Sequence, residues 1–149
     1  MNIKTSEKYL ELPKIIETGK ELCKKYPAQF SEIPFDGIKC YASLESKDFK
    51  KGGKKATQPW GVSFLPLPLM DLLDIHAVIF IEFDYYSSLN DAQMSLLCAD
   101  IFMSFAFEKS LFLKPFDIKD HFEMLNNFGF NYLENPDSPD ILKTNWNWR

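Results

Sequence analysis

A chain of 149 residues that is 46% hydrophobic and 15% aromatic is long and apolar enough to bury a substantial core, which excludes a disordered chain. Its net charge of −4 is uneven, residues 1–75 summing to +2 and residues 76–149 to −6, so the second half repels phosphate backbones and nucleic acid is not an expected ligand there. Arg149 is the only arginine, which argues against a phosphoryl-transfer site built on bidentate guanidinium clamps.

The first eight residues lack the apolar core of a signal peptide. The longest uncharged run, Ala56 to Met70, has 15 residues and three prolines, too short and broken to span a bilayer. Cys23, Cys40 and Cys98 are odd in number and widely spaced, as expected of reduced thiols. The chain reads as a single domain over residues 1–149, soluble and cytoplasmic.

Taken in order, Tyr9, Leu12, Ile16, Gly19, Cys23 and Tyr26 recur at helical spacing, widened by Ile15 and Leu22. The spacing predicts a helix with Pro13 in its first turn, stopped near Tyr26 by Pro27. Ile38 to Leu44 alternates as a half-buried strand, with Ile38, Cys40, Ala42 and Leu44 on one face. Ser46 to Thr57 holds five lysines around Gly52-Gly53, and Trp60 to Leu65 reads as another strand. The simplest arrangement is a hairpin with a long, flexible basic loop. That loop lacks P-loop spacing and the interleaved aromatics of single-strand binders. Leu65-Pro-Leu-Pro-Leu69 predicts an extended, packed apolar connector, because two prolines remove donors and restrict the backbone.

His76 to Phe83 is an almost unbroken apolar run and predicts a central strand buried on both faces. Val78, Phe80, Glu82 and Asp84 fall on one side, and Ala77, Ile79, Ile81 and Phe83 on the other. The first side turns acidic toward its end, where Tyr85 and Tyr86 follow. Carboxylates beside tyrosines suit a surface that holds a basic partner.

A long helix is expected from Asp91 to Lys109, opened by a capping box of Ser88 and Asp91. It is apolar nearly all round, with Gln93, Asp100 and Ser104 as its polar strip. Leu96, Met103 and Phe107 then require a second layer or another subunit. The next helix is predicted from Asp117 as N-cap, with Asp120 in the first turn and Gly129 just past the end. Ile141 to Arg149 alternates as a closing edge strand, its Trp146 and Trp148 sharing one side and suited to anchor a partner.

Catalytic motifs are wanting. Ser63 lacks the second glycine of a nucleophile elbow, Cys40 and Cys98 read as core, and His76 and His121 each stand beside one aspartate, as structural histidines do. Two histidines with no HExxH or CxxC supply too few ligands for a transition metal. No cofactor, metal or membrane association is expected, and the state is monomer or dimer. The element order implies an α+β fold, a mostly antiparallel sheet of about four strands with helices packed on a face.

In this small, acidic, aromatic-rich and motif-free character the whole chain resembles the immunity proteins of bacterial toxin systems, those of contact-dependent growth inhibition in particular. The resemblance implies a stoichiometric, non-catalytic inhibitor that covers the active site of a toxin domain, often a nuclease. Glu82, Asp84, Asp117, Asp120 and Glu123 would then stand in for substrate phosphates, with Tyr85, Tyr86, Trp146 and Trp148 completing the surface. The chain is also similar to the small acidic chaperones of secretion systems, which are α+β dimers, and Met94 to Phe107 would then be the dimer face. A small hydrolase using a Cys/His pair or the Glu82/Asp84 carboxylates is the remaining alternative.

Overall fold

The computed structural model describes residues 8–30, 33–44, 50–51, 54–55, 59–107, 111–113, 122–129 and 132–149. The elements run β1 (Tyr9–Glu11), α1 (Pro13–Lys25), a 3-10 turn (Phe35–Gly37), β2 (Ile38–Ser43), β3 (Lys50–Lys51), β4 (Lys54–Lys55) and β5 (Trp60–Phe64). They continue with α2 (Leu67–Leu73), β6 (Ala77–Glu82), α3 (Phe83–Ser87), α4 (Asp91–Met103), β7 (Phe105–Phe107), β8 (Leu111–Leu113) and α5 (Phe122–Phe128). The class is α+β, as the element order implied. The chain divides into two compact units, Met1–Ile16 with Pro34–Ser88 and Glu17–Ile33 with Leu89–Arg149.

The first unit is built on a four-stranded mixed sheet in the order β1-β2-β6-β5. β6 is central, parallel to β2 and antiparallel to β5. The expected hairpin between β2 and β5 therefore does not form: the two strands flank β6 instead of pairing. Apolar β6 supplies two ladders, and the long path from β2 to β6 meets the length a parallel crossover requires. The lysine stretch carries its own short antiparallel ladder, Lys50 opposite Lys55 and Lys51 opposite Lys54. β1, which the helical pattern at Tyr9 concealed, pairs antiparallel to β2.

The sheet has two unlike faces. Ile38, Cys40, Ala42, Trp60, Ala77, Ile79 and Ile81 are buried on one. By register the other carries Tyr9, Glu11, Lys39, Tyr41, Ser43, Gly61, Ser63, Val78, Phe80 and Glu82. Most of these are only half-buried, so β6 is fully buried on one face and not on both, as its apolar run suggested.

The Leu-Pro-Leu-Pro-Leu stretch is a correction. It opens a helix, with Pro66 at the N-cap and Pro68 in the first turn, where a missing N–H removes no intrahelical bond. Met70 N donates to Pro66 O at 2.9 Å as the first helical bond. α2 has no buried residue, and Leu67, Leu69, Leu72 and Leu73 are exposed, so the connector is not packed. Asp74 ends the helix in the left-handed region at φ 54°.

The second unit centres on α4. Every residue from Gln93 to Met103 is buried, as an all-round apolar helix requires, and Leu96 and Met103 are among them. The capping box lies two residues beyond the expected one: Asn90 Oδ1 accepts from Gln93 N at 2.8 Å and Gln93 Oε1 accepts from Asn90 N at 2.9 Å. The helix also stops earlier than expected. Ser104 Oγ donates back to Asp100 O at 2.8 Å, and the alternating Phe105-Ala-Phe107 enters a hairpin with β8. Gly129 follows α5 at φ 76°, the left-handed position expected of a glycine just past a helix.

Ile141 to Arg149 forms no strand. The Asp140 carboxylate accepts from Leu142 N at 3.1 Å and Lys143 N at 3.3 Å, a side-chain turn that competes with extended pairing. The Lys25 ammonium donates to the carbonyls of Ile141 (3.0 Å), Leu142 (2.9 Å) and Thr144. Side chains thus satisfy backbone groups that a sheet ladder would otherwise have held.

Candidate functional site, the open sheet face and the end of β6

β6 ends at Glu82, which serves as the N-cap residue of α3. The strand stops there because the next residues turn helical, tied down by Ser87 Oγ to Phe83 O at 2.9 Å and Ser88 Oγ to Tyr85 O at 2.7 Å. Strand alternation therefore does not carry through to Asp84. That residue lies in the first turn of α3, exposed, where the helix dipole favours an anion. Glu82 itself is only 7% exposed. The expected pair of carboxylates at i and i+2 on one strand face is thus replaced by a buried Glu82 and a solvent-facing Asp84. Tyr85 and Tyr86 are half-buried in α3.

Glu82 neighbours Ser43 across the parallel β2 ladder, and its backbone N–H donates to Pro59 O at 2.8 Å. Among the described residues its carboxylate has no hydrogen bond and no ion pair. Along the same face, Phe80 meets Tyr9 at 5.6 Å and Tyr41 at 6.5 Å between ring centroids. Across β5 the register neighbour of Phe80 is Gly61, and a Cβ added there would meet nothing within 4 Å. The face is therefore an aromatic cluster beside open space, with Glu82 at its end. Burial, and secondly the charge of Glu11, push the Tyr41 phenol above its ordinary pKa. The Glu11 carboxylate thus adds to the negative character around Tyr41.

The remaining candidates lie elsewhere. Asp117 and Asp120 are outside the described residues, as are His121 and the side chain of Glu123 in α5. Trp146 and Trp148 belong to the second unit, half-buried against its own rings: Phe128 is 4.8 Å from Trp146 and 5.6 Å from Trp148, and Tyr26 is 5.6 Å from Trp148. Trp146 Nε1 donates to Asn127 Oδ1 at 3.2 Å. Both indoles thus spend much of their surface inside the unit instead of standing out as anchors.

Of the groups weighed for catalysis, Cys40 and Cys98 are buried, and burial raises the Cys23 thiol to about 11, far from a reactive thiolate. His76 packs on Gly37. No three His, Cys, Asp or Glu side chains come together as a metal site among the described residues, and no helix among them is long and apolar enough to cross a membrane.

Sequence reasoning missed two features. The open face was hidden because its residues come from four separate strands. The exposed leucines of α2 were legible only if Pro66 and Pro68 had been read as a helix start. No protein-family model matches the chain, and comparison with curated proteins and with solved structures finds no match.

Proposed function

We propose that this chain is a non-catalytic, cytoplasmic protein-binding inhibitor of the immunity type, which binds a basic toxin domain one to one and occludes its active site. The observation that supports this reading best is the open sheet face of the first unit. Half-buried aromatics, the Glu82 carboxylate with no partner on it among the described residues, and exposed Asp84 nearby in sequence have the chemistry of an interface with a cationic protein. Steering by the negative charge would speed association, and burial of the rings would slow release.

The chaperone alternative loses support, because Met94 to Phe105, within the Met94 to Phe107 stretch where its dimer face was expected, is buried within the chain. The hydrolase alternative loses its paired carboxylates, since Glu82 and Asp84 stand in different elements.

The test is capture on the tagged protein from its native cells, at low and at moderate salt. The expected result is one stoichiometric basic protein, released as salt rises, whose toxicity the chain suppresses in a one-to-one mixture. Recovery of the chain alone at both salts overturns the reading.

A further inference from the structure

We propose that the open face of the β1-β2-β6-β5 sheet is an arginine-docking surface, on which a guanidinium stacks against Phe80 over Gly61 and pairs with the Glu82 carboxylate. The inference rests on the inhibitor reading for the source of the arginine, a basic partner protein, and adds to it the chemistry of the contact.

Three observations converge. The first is Glu82, 7% exposed and with neither a hydrogen bond nor an ion pair on its carboxylate among the described residues. A carboxylate with no partner of its own gains from a charge-assisted hydrogen bond, and a guanidinium can supply two at once. The second is the ring cluster beside it. Phe80 sits two residues before Glu82 on the same side of β6, with Tyr9 and Tyr41 against it. Aromatic faces attract cations, and arginine more often than lysine, because its flat, weakly hydrated group stacks. The third is room: at Gly61, the register neighbour of Phe80, a side chain would meet nothing within 4 Å.

Charge on the face agrees. Among its described strand residues the carboxylates are Glu82 and Glu11, the latter in register with Tyr41. Lys39 is the cation among its described strand residues, and it lies in register with Val78, four residues from Glu82 along β6. A lysine could reach Glu82 as a point charge, but it would not use the ring and the carboxylate together as a planar fork does.

The experiment titrates N-acetyl-arginine amide into the full-length, isotope-labelled chain and follows backbone and side-chain NMR shifts. Saturable shifts centred on Gly61, Phe80, Ile81 and Glu82 are expected, with N-acetyl-lysine amide binding more weakly. Glu82→Gln, which keeps size and shape, should weaken the arginine probe about tenfold. Phe80→Leu should weaken it by roughly threefold. Gly61→Val fills open space, leaves the fold intact and should abolish stacking, so the proposal stays testable if either other variant is unstable. Shifts that grow linearly without saturating, that scatter over the surface, or that are unchanged in Glu82→Gln and Gly61→Val overturn it. A captured basic partner whose affinity is the same for wild type and both variants also overturns it, while leaving the inhibitor reading standing. Saturable arginine binding at these residues with no partner captured supports the surface and removes the inhibitor reading alone.

Discussion

His76 and Gly37 are interlocked: the backbone N–H of His76 donates to Gly37 O at 2.6 Å, and the imidazole Cδ2 occupies the space a Cβ at position 37 would take. This contact joins the 3-10 turn before β2 to the start of β6, and it assigns His76 a packing role. Gly37→Ala should destabilise the protein by about 1–3 kcal/mol, because the ring must move off buried backbone. His76→Ala in the same chain should recover part of that loss. Urea unfolding of the two single variants and the double variant checks both points, and additive effects would show that the two residues do not touch.

Lys25 and Tyr26 fasten the C-terminal segment. Lys25 donates to three carbonyls, while the Tyr26 hydroxyl lies 2.6 Å from Ile141 O and accepts from Trp146 N at 2.9 Å. Lys25→Met leaves Leu142 O without its donor and leaves Ile141 O and Thr144 O to share the Tyr26 hydroxyl, and should cost about 1–3 kcal/mol; Tyr26→Phe should cost about 0.5–1.5 kcal/mol. Tryptophan emission should shift to the red in Lys25→Met, as Trp146 and Trp148 lose their packing. Unchanged emission and stability would mean that the segment holds without them.

The α4 cap separates two serine- and asparagine-based expectations. Asn90→Ala removes one half of the observed box and should cost about 1 kcal/mol. Ser88→Ala removes only the local bond to Tyr85 O, at 2.7 Å, and should cost a few tenths of a kcal/mol on the usual surface scale. Thermal unfolding of the two variants should rank them in that order.

Cys23 carries a pH dependence. Burial raises its thiol from 9.0 to about 11, so the folded chain holds this proton more tightly than the unfolded chain does. Its contribution to stability is therefore fully present below about pH 9 and is lost as pH rises toward 11. Cys23→Ser should flatten the stability profile across that window. At pH 8 alkylation of Cys23 in the folded chain should run far more slowly than in urea, because so little thiolate is present.

Leu67 and Leu72 are 71% and 79% exposed on α2. Changing either to Gln should alter stability by less than about 0.5 kcal/mol, while lowering the binding of hydrophobic dyes. A larger loss of stability would mean that α2 is covered in solution.

Elements whose signal is local were legible in the residues alone. The stripe of Ile15 and Leu22 with Pro13 in front gives α1, the alternation of Ile38, Cys40 and Ala42 gives β2, and Gly129 marks the end of α5. Hydrophobic period, proline and glycine act within a few residues, so the sequence carries them directly. What it does not carry is which strands become neighbours. Pairing β6 with β2 and β5 depends on segments far apart in the chain, and it decides that Tyr9, Tyr41, Gly61, Phe80 and Glu82 share one half-open face. The same limit explains the C-terminal segment. Its alternation is that of a strand, but Lys25, Tyr26 and Asp140 take its backbone groups before another strand does. Glu82 shows the limit most plainly: strand alternation sets its side of β6, and only the packing of the folded chain leaves the residue 7% exposed.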